Sequence, residues 1–329
     1  MAGPVLVTGA NGFLGRHIVA ELRRRSYAVR ALVRPGTVPP FPAAWAVDYH
    51  EADLTAPAGL AGAAEGCAAI IHAAALARVN PARSAAVWAV NLGGTANILR
   101  EARRAAVGRF VYVGTANVFG FGPKQSPGDE TRAYAGRRYG LDYMDSKHAA
   151  TELVLGAVAD WQLPAVLVHP TFMLGPQDVK PTSNALLLEL YHGRLPGFPP
   201  GGKNYVHVRD VATATVNALT RGRVGESYIL GNENLSYRDA FQLMAHELRV
   251  PPPRWPVPAA LASLYGRLCD LQARLTGRPA PLNSAMAAVA NDGHYFSPRK
   301  ARAELGLAQT PIRQAVAESL AWFKAHHYV

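Results

Sequence analysis

The stretch VLVTGANGFLG, Val5 to Gly15, decides how this chain folds. Val5–Val7 is short and apolar, as a buried strand would be, and Arg16 to Arg25 carries the mixed pattern of an amphipathic helix. Between them stand Gly9, Gly12 and Gly15. Each glycine at a strand-to-helix turn has a separate use: Gly9 for the tight turn, Gly12 for close backbone approach to a pyrophosphate, Gly15 for helix against strand. The first-turn N–H groups and the positive end of the helix dipole would face that anion, with Asn11, Phe13 and Leu14 completing the turn. An ordinary glycine-rich turn is the alternative; the position between strand and helix favours the dinucleotide.

Working outward, the strand–helix rhythm continues. Strands are expected at Val29–Val33, Ala46–His50, Ala69–His72, Phe110–Val113 and Ala165–His169, with helices near Pro81–Arg104 and Tyr143–Asp160. This alternation predicts an α/β fold, a Rossmann-type doubly wound parallel sheet with ligands at the carboxyl ends of its strands. After about residue 170 the rhythm breaks. A strand at Asn204–Val208, a helix at Arg209–Arg221 and a strand at Tyr228–Leu230 return to the first unit. Helices follow at Ser236–Leu248, Ala259–Leu275, Ser297–Leu305 and Pro311–His326. The expected division is a cofactor domain over residues 1–170, with later strands returning at 204–230, and a smaller C-terminal substrate lobe over 171–329.

Composition narrows the function classes. The 329 residues are 49% hydrophobic, and no apolar run is long enough to span a bilayer. The net charge of +11 comes from scattered basic residues without an aromatic-basic stripe, so no nucleic-acid partner is expected. Cys67 and Cys269 lie too far apart for a metal motif and read as buried thiols. With no basic leader and cleavage site before Val5, the expected location is cytoplasmic. A homodimer stays open.

Tyr143 and Lys147 are four residues apart at the start of a predicted helix, hence on one face. A nearby ammonium would lower the phenol's pKa from about 10 and let it exchange a proton with an alcohol oxygen. Thr115 follows the strand Phe110–Val113 and could hydrogen-bond a substrate carbonyl, or serve only its own turn. At the ribose end, an NAD site usually places an acid about 20 residues past the glycines. Here Val33 is followed by Arg34. A guanidinium suits a phosphate, so Arg34 favours NADP(H) over NAD(H).

Together these residues resemble the extended short-chain dehydrogenase/reductase family over nearly the whole chain. Its pieces are Thr8-Gly-x-x-Gly-x-x-Gly15, Asp53-Leu54, His72-Ala-Ala-Ala75 and Val90-Asn-Leu-Gly-Gly-Thr95. Thr115, Tyr143-x-x-x-Lys147, His169-Pro-Thr171, Val206-His-Val-Arg-Asp210 and Lys300-Ala-Arg-Ala-Glu-Leu-Gly-Leu307 complete the series. The resemblance implies that Asp53 and Leu54 hold the adenine and that Ala73, Ala74 and Ala75 lie along the cofactor. Asn91 would support the nicotinamide ribose, and Pro170, Thr171 and Phe172 would pass beside the nicotinamide. Asp53 as a turn or cap residue and Asn91 as a core asparagine remain open. Tyr143 would be the proton donor, with Lys147 and Thr115 completing the catalytic set.

Ala31–Pro35 and the C-terminal part look most like dihydroflavonol-reductase-like or epimerase/dehydratase members. Two departures stand out: Gly114-Thr115 replaces a Ser-Ser run, and His169 stands where an arginine is frequent. The leading expectation is an NADP(H)-dependent carbonyl reductase or alcohol dehydrogenase acting on a small-molecule carbonyl or alcohol. A nucleotide-sugar epimerase and a non-catalytic cofactor sensor are the alternatives. A dehydratase would want an acidic pair where Ala116 and Asn117 stand. Leu186–Leu190, Tyr191, Phe198 and Tyr205 are candidates to line an apolar pocket.

Overall fold

In a computed structural model, residues 3–38, 41–277 and 282–329 are described. Strand β1 (Val5–Thr8) leads through the glycine turn into helix α1 (Phe13–Arg24), then β2 (Val29–Val33) and β3 (Asp48–Glu51). The short α2 (Pro57–Leu60) precedes β4 (Ala69–His72), and α3 (Ala85–Trp88) runs through a π turn into α4 (Gly94–Arg104). Next come β5 (Arg109–Val113), α5 (Asp142–Trp161), β6 (Ala165–Pro170), β7 (Phe172–Leu174) and α6 (Ala185–Tyr191). Strands β8 (Gly197–Phe198) and β9 (Gly202–His207), α7 (Val208–Asn217), β10 (Ser227–Leu230) and β11 (Glu233–Ser236) follow. The chain closes with α8 (Tyr237–Leu248), β12 (Trp255–Pro256), α9 (Ala259–Thr276), α10 (Ser284–Asn291), β13 (Gly293–His294), α11 (Arg299–Leu305) and α12 (Ile312–Ala325).

Seven strands form one parallel sheet in the order β10-β6-β5-β4-β1-β2-β3. Strands β4 and β6 are buried along their whole length, which explains their unbroken apolar runs: each is covered on both faces. Helices α1 and α7 pack together, as do α4 and α5. Two apolar clusters therefore fill the sheet's two faces: Val7, Ile18 and Val211 belong to one, Ile70, Leu99 and Val154 to the other. The strand order reverses direction between β1 and β4, which opens a crevice at their carboxyl ends.

The second unit is a small sheet, β11-β9-β13, with β7 also paired to β9. Its core gathers Tyr205, Phe241, Met244, Val316 and Phe323 from β9, α8 and α12. Strand β7 follows β6 after a single residue and β9 runs straight into α7, so the small sheet is joined to the large unit at the carboxyl end of β6.

Two expected elements shift. The helix anticipated from Pro81 begins only at Ala85, because Asp142 accepts hydrogen bonds from the Ser84 N–H (2.6 Å) and the Arg83 guanidinium (2.9 Å) and holds Ser84 extended. The strand anticipated at Ala46–His50 runs instead over Asp48–Glu51, after Ala46 adopts a left-handed conformation (φ 45°) that closes the turn Ala43–Trp45. Strands β7, β11 and β13 and helix α10 carry too few residues, or too little pattern, to stand out in the sequence.

Candidate active site

The glycine turn is built as a cradle. Gly9 has φ +68°, and a Cβ there would lie 2.7 Å from the Ala74 backbone. The turn after β1 thus abuts the segment Ala73–Ala75 after β4, across the crevice where the strand order reverses. A Cβ on Gly15 would lie 2.0 Å from the Gly9 carbonyl oxygen, so only glycine lets α1 sit this close. At Gly12 the nearest atom to such a Cβ is the Gly9 oxygen at 3.2 Å, and no side chain caps α1. The concavity fits a pyrophosphate: backbone on the inside, an uncapped helix start, and room on the open side. Leu14 is buried beneath the turn; Asn11 and Phe13 are half-buried at its rim.

Arg34 is exposed just beyond β2. It lies close enough to Asp53 to help hold that carboxyl below its usual range; the larger cause is the pair of hydrogen bonds from Thr55, through hydroxyl and N–H at 2.7 Å each. Asp53 thus serves a local turn as it stands. Leu54 is buried in the core and offers its carbonyl to Asn97 (2.6 Å).

Thr115, Tyr143, Thr171 and Phe172 meet on a cavity of about 430 Å3 under the small sheet, opposite Lys203, Asn204 and His294. Pro170 closes β6 at its edge. Tyr143 sits in the first turn of α5. Burial raises its phenol's pKa, and a hydrogen bond from Thr115 draws it back. Lys147, one turn on, is buried, and its Nζ donates to the Val113 carbonyl (2.7 Å) while lying 4.4 Å from the Tyr112 ring centre. Loss of water brings the ammonium down to about 7. For Tyr143 as it stands, burial is the larger influence and the Thr115 hydrogen bond opposes it.

A buried polar chain ties the glycine turn to helix α5. The Thr95 hydroxyl donates to the Asn91 carbonyl (2.6 Å), so His72 Nε2 must donate to Thr95 (3.0 Å) and its Nδ1 accept from Thr8 (2.7 Å). His72 is held neutral, its pKa driven to about 3 by burial and then by Lys147. Asn91 accepts from the Leu76 N–H (2.8 Å) and donates to Ser146 (3.1 Å), which donates to the Tyr143 carbonyl (3.1 Å). Asn91, expected to support the site near the nicotinamide ribose or to be a core asparagine, braces the loop after β4 against α5. Thr8 and Thr95 stood in the sequence only as the ends of motif pieces, without a role of their own, and Ser146 was not singled out. Their signal is only the register of a helix face, visible once the helices are placed.

The two sequence departures prove to be one. A Cβ on Gly114 would lie 2.3 Å from His169 Nδ1, so the glycine makes room for the imidazole. His169 is fully buried, packs edge-on to Phe119 at 4.8 Å and meets Ser227 at 3.1 Å. The proposed apolar lining is corrected. Leu187, Leu190 and Tyr205 are core residues of the second unit, with Leu186, Leu188, Tyr191 and Phe198 packed against them. The cavity is walled instead by Phe172, Met173, Pro181 and Phe296 among polar side chains.

The profile of the NAD dependent epimerase/dehydratase family matches residues 5–231. The chain is 31% identical to a putative dihydroflavonol 4-reductase of Synechocystis, covering 100% of this chain and 97% of that protein. Among solved structures it is similar to gox2253 (32% identity, TM-score 0.86, 98% of each chain). It is also similar to PA4631 of Pseudomonas aeruginosa, described as a nucleoside-diphosphate-sugar epimerase (26% identity, TM-score 0.82, 100% of this chain and 99% of that one).

Proposed function

The chain belongs to the NAD-dependent epimerase/dehydratase family, and within it we propose an NADP(H)-dependent carbonyl reductase or alcohol dehydrogenase. One observation carries the reading: Thr115 and Tyr143 share a wall of a cavity whose described lining contains no carboxylate. Proton exchange with a single oxygen is thereby supported, and removal of water from a sugar, which needs an acid and a base, is not. The crevice would hold a nicotinamide dinucleotide, whose chemistry when bound would be hydride transfer. Thr115 holds the substrate oxygen beside Tyr143, and Tyr143 delivers its proton to that oxygen. Lys147 keeps a cation one helical turn behind the phenol as the phenolate forms, held by the Val113 carbonyl. Gly9, Gly12 and Gly15 would cradle the pyrophosphate, and Arg34 the 2′-phosphate. In this reading Asp53 and Leu54 would face the adenine, and Ala73–Ala75 and Pro170–Phe172 would line the rest of the cofactor. The name of the Synechocystis relative is consistent with ketone reduction.

The test is oxidation of NADPH by the purified protein across a panel of ketones and aldehydes. Turnover is expected with members of that panel, and Tyr143→Phe should lower kcat by roughly a hundredfold or more while leaving NADPH binding intact. Bound NADPH that no carbonyl oxidises would overturn the proposal.

A second reading has its own observation. Lys203 projects from β9 into the cavity, where burial lowers its ammonium to about 8, and the described lining offers it no acid. A diphosphate would suit it, as in a nucleotide-sugar epimerase. Interconversion of UDP-glucose and UDP-galactose without net NADPH consumption would favour this second function.

A further inference from the structure

Helix α9 is amphipathic in the reverse sense. Its inward side is made of small residues: Gly266 and Cys269 are buried, and a Cβ on Gly266 would lie 2.8 Å from Ser284 Cα in α10. Its large residues point outward. Leu261, Leu264, Tyr265, Leu268, Leu271 and Leu275 are each between 52% and 78% exposed. At about 100° per residue they share an arc of roughly 120° on the helix. Trp255, in the short strand just ahead, is 73% exposed. The other large apolar side chains that stand out among the described residues are isolated valines, Val38, Val179 and Val224. Soluble monomers rarely leave so many large side chains contiguous and bare.

Along α9 and at Trp255, the exposed charged residues among those described are basic. Exposed Arg267 and Arg274 run along one of its edges, and exposed Arg254 adjoins Trp255. The helix's single acid, Asp270, is turned inward, accepting from the Ser284 N–H at 3.3 Å. The whole chain carries +11. Leucines on one face, a tryptophan and a tyrosine among them, and arginines at the border match what an anionic lipid surface binds.

We propose that α9, with Trp255, is a membrane-docking surface that inserts its leucine arc into the interface of an anionic bilayer. Helix α10 packs on α9 and also joins the cluster of Tyr139, Leu141 and Met144 against Tyr143, so docking sets the catalytic helix close to the lipid. The proposal does not depend on the redox reading, because its test uses neither cofactor nor substrate.

Co-sedimentation of the full chain with vesicles decides it. The protein should pellet with phosphatidylcholine–phosphatidylglycerol vesicles and much less with phosphatidylcholine alone. A Leu264→Asp/Leu268→Asp variant should lose about tenfold or more of that binding, and Arg267→Glu/Arg274→Glu should lose the preference for the anionic vesicles. These side chains are exposed, so the circular-dichroism spectrum and the thermal unfolding midpoint should be unchanged in both. Wild-type protein left in the supernatant with both vesicle types overturns the proposal, as does equal binding by the leucine variant. If sedimentation velocity shows a dimer that the leucine variant dissolves, and vesicles do not bind, the arc belongs to a second copy and the proposal falls.

Discussion

Lys147 carries its charge where water is excluded. Its ammonium has one protein partner of note, the Val113 carbonyl, and lies over the Tyr112 ring. Burial brings it from 10.5 to about 7, so the unfolded chain binds a proton more readily than the folded one between those values. The folded state therefore bears a penalty that is complete below pH 7 and fades toward pH 10. Lys147→Met should stabilise the protein by about 2 kcal/mol at pH 6, after the loss of the carbonyl's partner, with little gain near pH 10. Urea unfolding at the two pH values checks this; a gain independent of pH would remove the charge from the explanation. Activity should be lost in the same variant. At the other end of the crevice, Arg34 is exposed and free to meet a phosphate. Arg34→Ala should weaken NADPH by roughly ten- to a hundredfold and NADH by much less, measured by fluorescence titration. Equal losses would deny the phosphate role. Where the residues of both ends lie in the fold could be read in the sequence, because strand, glycine turn and helix fix their places locally. What could not be read was the way His72, Asn91 and Ser146 join, since that joining depends on three elements meeting across the sheet.

Strands β5 and β6 are neighbours in register, Val113 beside Val168, and they end on residues that fit one another. Gly114 leaves the space that His169 fills. Gly114→Ala should cost about 1–3 kcal/mol through overpacking, whereas the same substitution on a His169→Ala background should cost much less. A thermal-unfolding double-mutant cycle reads the coupling, and additive losses would mean that the two positions are independent. The pairing explains how an imidazole is accommodated between the adjacent ends of β5 and β6. Elements of the first half were legible because buried parallel strands are unbroken apolar runs and the helices between them alternate. Helix α3 was misplaced because Asp142, more than fifty residues away, holds Ser84 extended. Helix α10 and strands β7 and β13 escaped notice because their order comes from β9 and α9. For the same reason the cavity lining was misassigned. A leucine run at helical spacing looks alike whether it faces a ligand or a core, and α6 faces the core of the second unit.

Over the whole molecule, buried ionisable groups set how stability follows pH. Among the described residues, burial brings His17 to about 4 and both His72 and His169 to about 3, against 6.5 in an unfolded chain. Each holds fewer protons folded than unfolded between those values, so the stability it contributes is present above about 6.5 and lost as pH falls. A single group gives a slope of about 1.4 kcal/mol per pH unit, so these three give roughly 4 kcal/mol for each pH unit between about pH 6 and 4, and His207 and His294, also lowered by burial, act in the same direction. Against a total stability of about 5–15 kcal/mol, that is enough to unfold the chain near pH 4. On the alkaline side the signs reverse in turn. Lys147 and Lys203, lowered to about 7 and 8, add stability as pH rises toward 10. Tyr143, Tyr205 and Tyr237, all raised by burial, then withdraw it above 10, where the unfolded phenols ionise and the folded ones do not. Stability should therefore peak between about pH 8 and 10 and fall steeply into acid. Urea unfolding across pH 4 to 10 measures the curve. His72→Asn should flatten the acid arm by close to one proton whatever it does to stability at neutral pH, since the slope counts protons rather than contacts. A peak below pH 7, or an acid arm unchanged in that variant, would show that the buried imidazoles are not what the fold protects.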